Sequence, residues 1–286
     1  MQAIEAVLVT RDSEAGRGGP VAITDPFAPL ADLGYAICHV PLTRTAAPSD
    51  PGPLDDAVRH LSEFSWIAFT SARAVQGFAN AVAGSGTFGS AGTRASVRFA
   101  CVGPATARAC ESVLGRSADL VARSANAAGL ARELRELLAG QAGSRVLFPA
   151  SPDARPDLPR TLEEAGIRVT QVEAYRVEPA PPEPDRLLPP GGADHWAAIV
   201  LTSGSIARIL LESLAAIFPD RRQLETFMDR SRPAVLGPTA TEALAAWGLR
   251  PWLQASTPSL EVLVREMTDR LEQDRGEPEP RRSGDR

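Results

Sequence analysis

The sequence predicts an α/β fold of two similar lobes, each a parallel sheet flanked by helices, and three observations carry that expectation. Short apolar, β-branched runs alternate with longer stretches of helical period, the pattern of parallel strands covered by helices on both faces. The 286 residues amount to about twice an ordinary single domain. The second half also echoes the first. From Leu30 the chain reads LADLGYAICHVPLTR and from Leu162 it reads LEEAGIRVTQVEAYR, which sets Gly34 on Gly166, Val40 on Val172 and Arg44 on Arg176. WIAFTS at Trp66 answers WAAIVLTS at Trp196, FACVGPATAR answers AVLGPTATE, and VLVTR at Val7 answers VLFPA at Val146. Landmarks in one order at nearly constant spacing point to a tandem duplication.

Taken in order, the β-branched runs place strands near 6–10, 36–40, 65–69, 98–102, 145–148, 168–172, 196–201 and 233–236. Helical period covers 26–33, 54–62, 72–82, 105–114, 127–138, 157–165, 204–217, 222–229, 239–246 and 258–273. Gly34, Gly166 and Gly248 each close a helical stretch before an extended one, where a left-handed residue ends a helix. The Gly- and Ser-rich 84–95 and the Pro-rich 178–193 read as loops or linkers. The tail RGEPEPRRSGDR, residues 275–286, has almost nothing to bury and is expected to be disordered.

Composition removes several chemistries. All 30 basic residues are arginine, so no Schiff-base, pyridoxal-phosphate, Walker or kinase lysine is available. Anions must meet Arg, hydroxyls or backbone N–H groups. Cys38, Cys101 and Cys110 are an odd set without a C-x-x-C and suit small buried hydrophobes. The three histidines, His39, His60 and His195, lack ligand spacing, so no metal is expected. The start MQAIEAVLVTR has neither a basic leader nor a long apolar core, and no later run approaches a membrane span, so a cytoplasmic protein is expected.

In a parallel sheet, ligands bind beyond the carboxyl ends of the strands, where helix N-termini present free N–H groups. Thr70-Ser71 and Thr202-Ser203 fall there, either holding an anion or capping the helices that follow. VGPATARA at 102–109 and LGPTATEA at 236–243 repeat another design: Gly103 and Gly237 for close backbone approach, then Pro, with Thr106 or Thr239 near the helix start. The GPATA turn lacks three-glycine dinucleotide spacing, so no NAD or FAD is expected.

These segments, with VLFPASPDARPDLPRTLEEAGI, EAYRV, VLTSGSIARIL and STPSLEVLV, resemble the uroporphyrinogen-III synthase family over residues 4–273. The resemblance implies two α/β lobes joined by two crossing strands, an active site in the cleft between them, and no cofactor. It also implies an exchanged layout. Residues 1–40 with 180–274 form one lobe, 46–172 the other, and 41–45 and 173–179 are the connecting strands. The implied reaction is that of a cyclising lyase of heme biosynthesis: hydroxymethylbilane, a linear tetrapyrrole with eight carboxylates, closes with inversion of ring D and loss of water.

On the same basis Tyr175, in EAYRV, is the candidate acid, its alternative being a packing residue at a hinge. Arg11, Arg73 and Arg155 are candidate carboxylate contacts. Thr70, Ser71, Thr106, Thr202, Ser203, Ser205 and Thr239 supply hydroxyl or amide donors beside Gly103 and Gly237. One departure stands out: Ala240 follows Thr239 where family members often carry a second hydroxyl. A net charge of −5 gives no general attraction for a polyanion, so attraction must be local. The chain is expected to work as a monomer, without nucleic acid or membrane. The competing reading is a non-catalytic two-lobe module that retains a tetrapyrrole or other polyanion, and a third is a sugar-phosphate or solute-binding protein.

Overall fold

The structure, a computed structural model, describes residues 5–11, 25–85, 97–141 and 143–276. The chain divides into two compact units, one of Met1–Arg44 with Pro179–Arg286 and one of Thr45–Glu178. Most of the loop expected at 84–95 and the tail from 277 lie outside the described residues. The helix before that tail runs further than its apolar pattern, to Gly276.

In the first unit, β1 (Ala6–Val9), β2 (Ala36–His39), β10 (Ala198–Leu201), β11 (Pro233–Val235) and β12 (Leu253–Gln254) form a sheet ordered β12-β11-β10-β1-β2, every pair parallel. Its helices are α1 (Ala28–Asp32), α7 (Gly204–Ile217), α8 (Arg221–Arg230), α9 (Pro238–Ala245) and α10 (Leu260–Gly276). Period-two alternation sends Val7 and Val9 into a core with Leu263 and Met267 of α10, and Leu8 into the opposite core with Leu210 and Leu214 of α7. Polar atoms caught in these cores are paired. The Thr10 hydroxyl donates to the Val200 carbonyl at 2.6 Å, and the Trp196 indole N–H donates to the Leu187 carbonyl at 2.8 Å.

The second unit repeats the plan. Here β4 (Trp66–Phe69), β5 (Arg98–Cys101), β6 (Leu120–Val121), β7 (Arg145–Ala150) and β8 (Arg168–Glu173) are ordered β6-β5-β4-β7-β8, again all parallel. Helices α2 (Gly52–Arg59) and α3 (Ala72–Ser85) cover one face through Ile67, Phe69, Phe99 and Leu147. Helices α5 (Ala127–Leu138) and α6 (Asp157–Glu163) cover the other through Ala68, Ala100, Val146 and Phe148. Between β5 and β6 runs the short α4 (Pro104–Ala109), which widens into a π turn over Cys110–Leu114. A two-stranded sheet pairs β3 (Thr43–Ala46) with β9 (Arg176–Pro179), where the chain passes from one unit to the other.

The expected strands all form. Gly34 and Gly166, matched in the repeat, both carry positive φ, 90° and 77°, as does Gly248 at 75°, so each ends its helix as expected. Two strands escape the sequence pattern, β6 and β12, each only two residues long. The linker 178–193 carries short 3₁₀ turns at Pro184–Leu187 and Pro190–Gly192. Cys101 and Cys110 are buried with their sulfurs 3.5 Å apart, while Cys38 is only partly buried. The Cys110 thiol is held above its ordinary range by the hydrogen bond with Cys101 and by burial.

A glycine sets how closely α3 approaches the end of β8. A Cβ on Gly77 would lie 2.1 Å from the Ala174 carbonyl oxygen. Elsewhere in a helix, Gly→Ala gains about 1 kcal/mol in propensity. Here overpacking against backbone costs about 1–3 kcal/mol or more, so the clash wins. Gly77→Ala is therefore expected to destabilise the protein, read as a lower urea midpoint; a raised midpoint would contradict the packing described.

Candidate active site

All strands of a parallel sheet end on one edge, and in the second unit four chain segments leave that edge carrying polar groups. After β4 come Thr70 and Ser71, after β5 Gly103, after β7 the loop bearing Arg155, and after β8 Ala174 and Tyr175. Ser71 does two things at once. Its Oγ accepts from the Ala74 N–H at 3.1 Å, capping α3, and lies 3.1 Å from the Tyr175 Oη, where either hydroxyl can donate. The capping reading of Ser71 therefore holds, and the same hydroxyl also meets Tyr175. Tyr175 is half-buried and packs its ring against the core under α2 and α3.

Tyr175 lines a groove of about 630 Å³ whose residues all belong to this unit. Helix α3 presents Arg73, Gln76 and Asn80 to it, and α2 presents Asp55 and Arg59. Arg59 pairs with Asp56 at 3.2 Å, whereas the exposed Arg73 makes no ion pair among the described residues. Gln76 donates to Asn80 at 3.0 Å, and much of the remaining lining is apolar, from Ala46, Pro48, Pro51 and Leu54. Arg73 is thus the lining guanidinium left without an ion pair among the described residues.

The wall opposite α3 is tied to β8 by a contact across the chain. The Glu173 carboxylate, last in β8, accepts from the Ser49 N–H at 2.9 Å and from the Ser49 hydroxyl at 2.5 Å. These bonds hold the Glu173 carboxyl below its ordinary range, assisted by Arg176 and opposed by Asp50. Neither Ser49 nor Glu173 is singled out by the sequence, because nothing local links residues 124 positions apart.

In the first unit, Ser203 caps α7 by accepting from the Ile206 N–H at 3.3 Å, the counterpart of Ser71 on α3. Thr202 is half-buried beside it. Ser205 is exposed and accepts from Arg208 at 3.3 Å. A Cβ on Gly204 would lie 2.5 Å from the Thr239 carbonyl oxygen, so the start of α7 is seated directly on the turn that opens α9. Ala240 is buried in the core behind that turn, so a polar side chain there would have to be buried, and the Thr241 hydroxyl is committed to Gln254 at 2.6 Å. Arg11 follows β1, and its carbonyl lies 3.3 Å from His39 Nδ1, whose Nε2 meets Asp25 at 2.7 Å.

The remaining candidates sit as follows. Gly103 and Gly237 have φ of 179° and −171°, extended backbone open to any residue, and a Cβ on Gly237 would meet only Pro258, at 4.0 Å. The fold itself therefore does not demand glycine at 237. Thr106 lies inside α4 and is 4 % exposed, so its side chain is not presented at the surface. Arg155 is exposed on the β7–α6 loop and does not line the groove.

Because folding lowers the Glu173 pKa, its bonds to Ser49 stabilise the folded state above the ordinary glutamate value and are lost as pH falls through the lower, folded value. The difference in urea midpoint between wild type and Glu173→Gln is expected to be constant near neutrality and to shrink as pH drops from about 5 to about 3. A difference that grows on acidification would show that this carboxylate is not stabilised by folding.

Among the described residues no helix is long and apolar enough to cross a membrane, and no group of three or more His, Cys, Asp or Glu side chains gathers as a metal-ligand set. The family model for uroporphyrinogen-III synthase HemD matches residues 26–265. A uroporphyrinogen-III synthase from Synechococcus elongatus is 28% identical over 213 residues, 74% of this chain and 75% of that one. Among solved structures, the uroporphyrinogen-III synthetase of Helicobacter pylori 26695 matches with a TM-score of 0.55 at 16% identity, covering 93% of this chain and 99% of that one, a likeness of fold. With the family model matched across most of its length, the chain belongs to the uroporphyrinogen-III synthase family of cyclising lyases.

Proposed function

We propose that this chain closes hydroxymethylbilane to uroporphyrinogen III, with the groove of the second unit receiving carboxylates of the substrate and Tyr175 serving as the proton donor. The observation that carries this reading is the Tyr175 hydroxyl, 3.1 Å from Ser71 Oγ and lining a groove with the unpaired Arg73. In this reading residues 1–40 with 180–274 and residues 46–172 are the two lobes, and Thr202, Ser203, Ser205, Gly237, Thr239 and Arg11 on the first unit's edge add further contacts. The chain acts as a cytoplasmic monomer, without nucleic acid and without a cofactor.

The chemistry asks little beyond positioning. The Tyr175 phenol gives its proton to the terminal hydroxyl as the carbon–oxygen bond breaks, and water leaves behind an azafulvene. A phenol stays protonated near neutral pH and suits that task. The substituted carbon of ring D attacks, a spiro intermediate forms, and its fragmentation and reclosure invert the ring. The proton lost when the last pyrrole carbon regains aromaticity balances the one spent. A chain held coiled converts a flexible closure into a proximity-controlled one and keeps the direct, non-inverting closure out of reach.

Freshly generated hydroxymethylbilane is expected to yield the type III isomer with this protein; type I alone would reject the reading in favour of a binding module without turnover. Tyr175→Phe should slow type III formation by about 10²-fold with the fold intact, the usual size of a general-acid contribution. Unchanged kinetics would remove Tyr175 from the mechanism. Arg73→Ala should raise KM about threefold to tenfold with little change in kcat, as expected for an exposed ground-state contact. An unaltered KM would exclude Arg73 from substrate binding.

A further inference from the structure

We infer that Glu173 and Ser49 form a latch that positions Tyr175 for proton transfer, so that both are positioning residues for the reaction. Glu173 ends β8 and stands two residues before Tyr175. Its carboxylate receives both donors of Ser49, the N–H at 2.9 Å and the hydroxyl at 2.5 Å, and Ser49 lies in the segment between β3 and α2. Residues on each side of the latch line the groove: Ala47, Pro48 and Pro51 beside Ser49, and Ala174 and Tyr175 beyond Glu173.

The latch explains how the short stretch between β8 and β9 is held. Residues 174 and 175 lie just past the last registered pair of β8, Ala150 with Glu173, and before β9. Three contacts hold this stretch. The Ala174 N–H donates to the Ala150 carbonyl at 2.8 Å, the Ala174 carbonyl is pressed against Gly77 of α3, and the Tyr175 hydroxyl meets Ser71. The first two fix residue 174 from the β7 and α3 sides. Glu173 anchors the turn to the 47–51 segment, and it does so with charge-assisted bonds, the stronger kind. The charged neighbours acting on the carboxylate are Arg176 at the start of β9 and Asp50 beside Ser49. Releasing the latch lets the groove wall and the turn move apart while both cores stay intact. An ångström of drift at the phenol is enough to slow a step that depends on alignment.

The inference rests on the reading of Tyr175 as proton donor. The experiment measures type III formation from hydroxymethylbilane by wild type, Glu173→Gln, Ser49→Ala and Tyr175→Phe, and by each latch variant combined with Tyr175→Phe. Each latch variant is expected to lower kcat about threefold to tenfold with KM within about twofold, and to cause no further loss once Tyr175 is Phe. A latch variant as fast as wild type overturns the inference, as does a loss of equal size in the Tyr175→Phe background or a rise in KM alone. An active wild type whose Tyr175→Phe variant is equally fast overturns the proton-donor reading instead, and the latch's role with it.

Discussion

Parallel pairing decides where this protein can do chemistry. Every registered strand pair in the two five-stranded sheets is parallel, so all the carboxyl ends of a sheet fall on one edge, and the helices that follow begin there with their N–H groups unpaired. The cores on both faces of each sheet, filled by alternating residues of the same strands, hold those ends rigid. Tyr175, just after β8, lies 104 residues from Ser71, which with Arg73 follows β4 of the same sheet. That placement, rather than any local motif, puts a phenol, a hydroxyl and a guanidinium beside one groove.

A second constraint refines the first. In each unit the helix after the central strand is capped by a serine, Ser71 or Ser203, and seated against a backbone carbonyl, that of Ala174 for α3 and that of Thr239 for α7. The seat is possible only because residues 77 and 204 have no side chain. A methyl group at 2.1 or 2.5 Å from an oxygen leaves nowhere to go, since the listening partner is main chain and cannot rotate away. Helix and site turn thus move as one body within each unit.

Much of this was legible from residue order. Alternation and β-branching locate the central strands because each is buried on both faces and must be apolar throughout. The edge strands β6 and β12 were not legible, because two residues carry no period and Val121 and Gln254 face solvent. For the site, the hydroxyls of FTS and LTS were found by their place between strand and helix. The glycines of GPAT and GPTA mark turns where a backbone can be approached closely, and their extended φ angles are open to any residue. The Ser49–Glu173 pair had no signal at all: a serine in a proline-rich stretch and a glutamate in a strand are ordinary residues until the fold brings them together.

The absence of lysine gives the electrostatics a particular form. With a net charge of −5, the far field does not draw in a polyanion, and beyond about 8 Å salt screens it in any case. Local attraction for an anion therefore rests on guanidiniums not already neutralised, beside hydroxyls and backbone N–H groups; among the described residues Arg73 has no ion pair, while Arg59 pairs with Asp56. A guanidinium keeps its charge throughout the range in which proteins work. Glu173, by contrast, loses its charge on acidification and, with it, its hold on Ser49. The carboxylate that fastens the groove wall thus couples its shape to acidity without being a binding group.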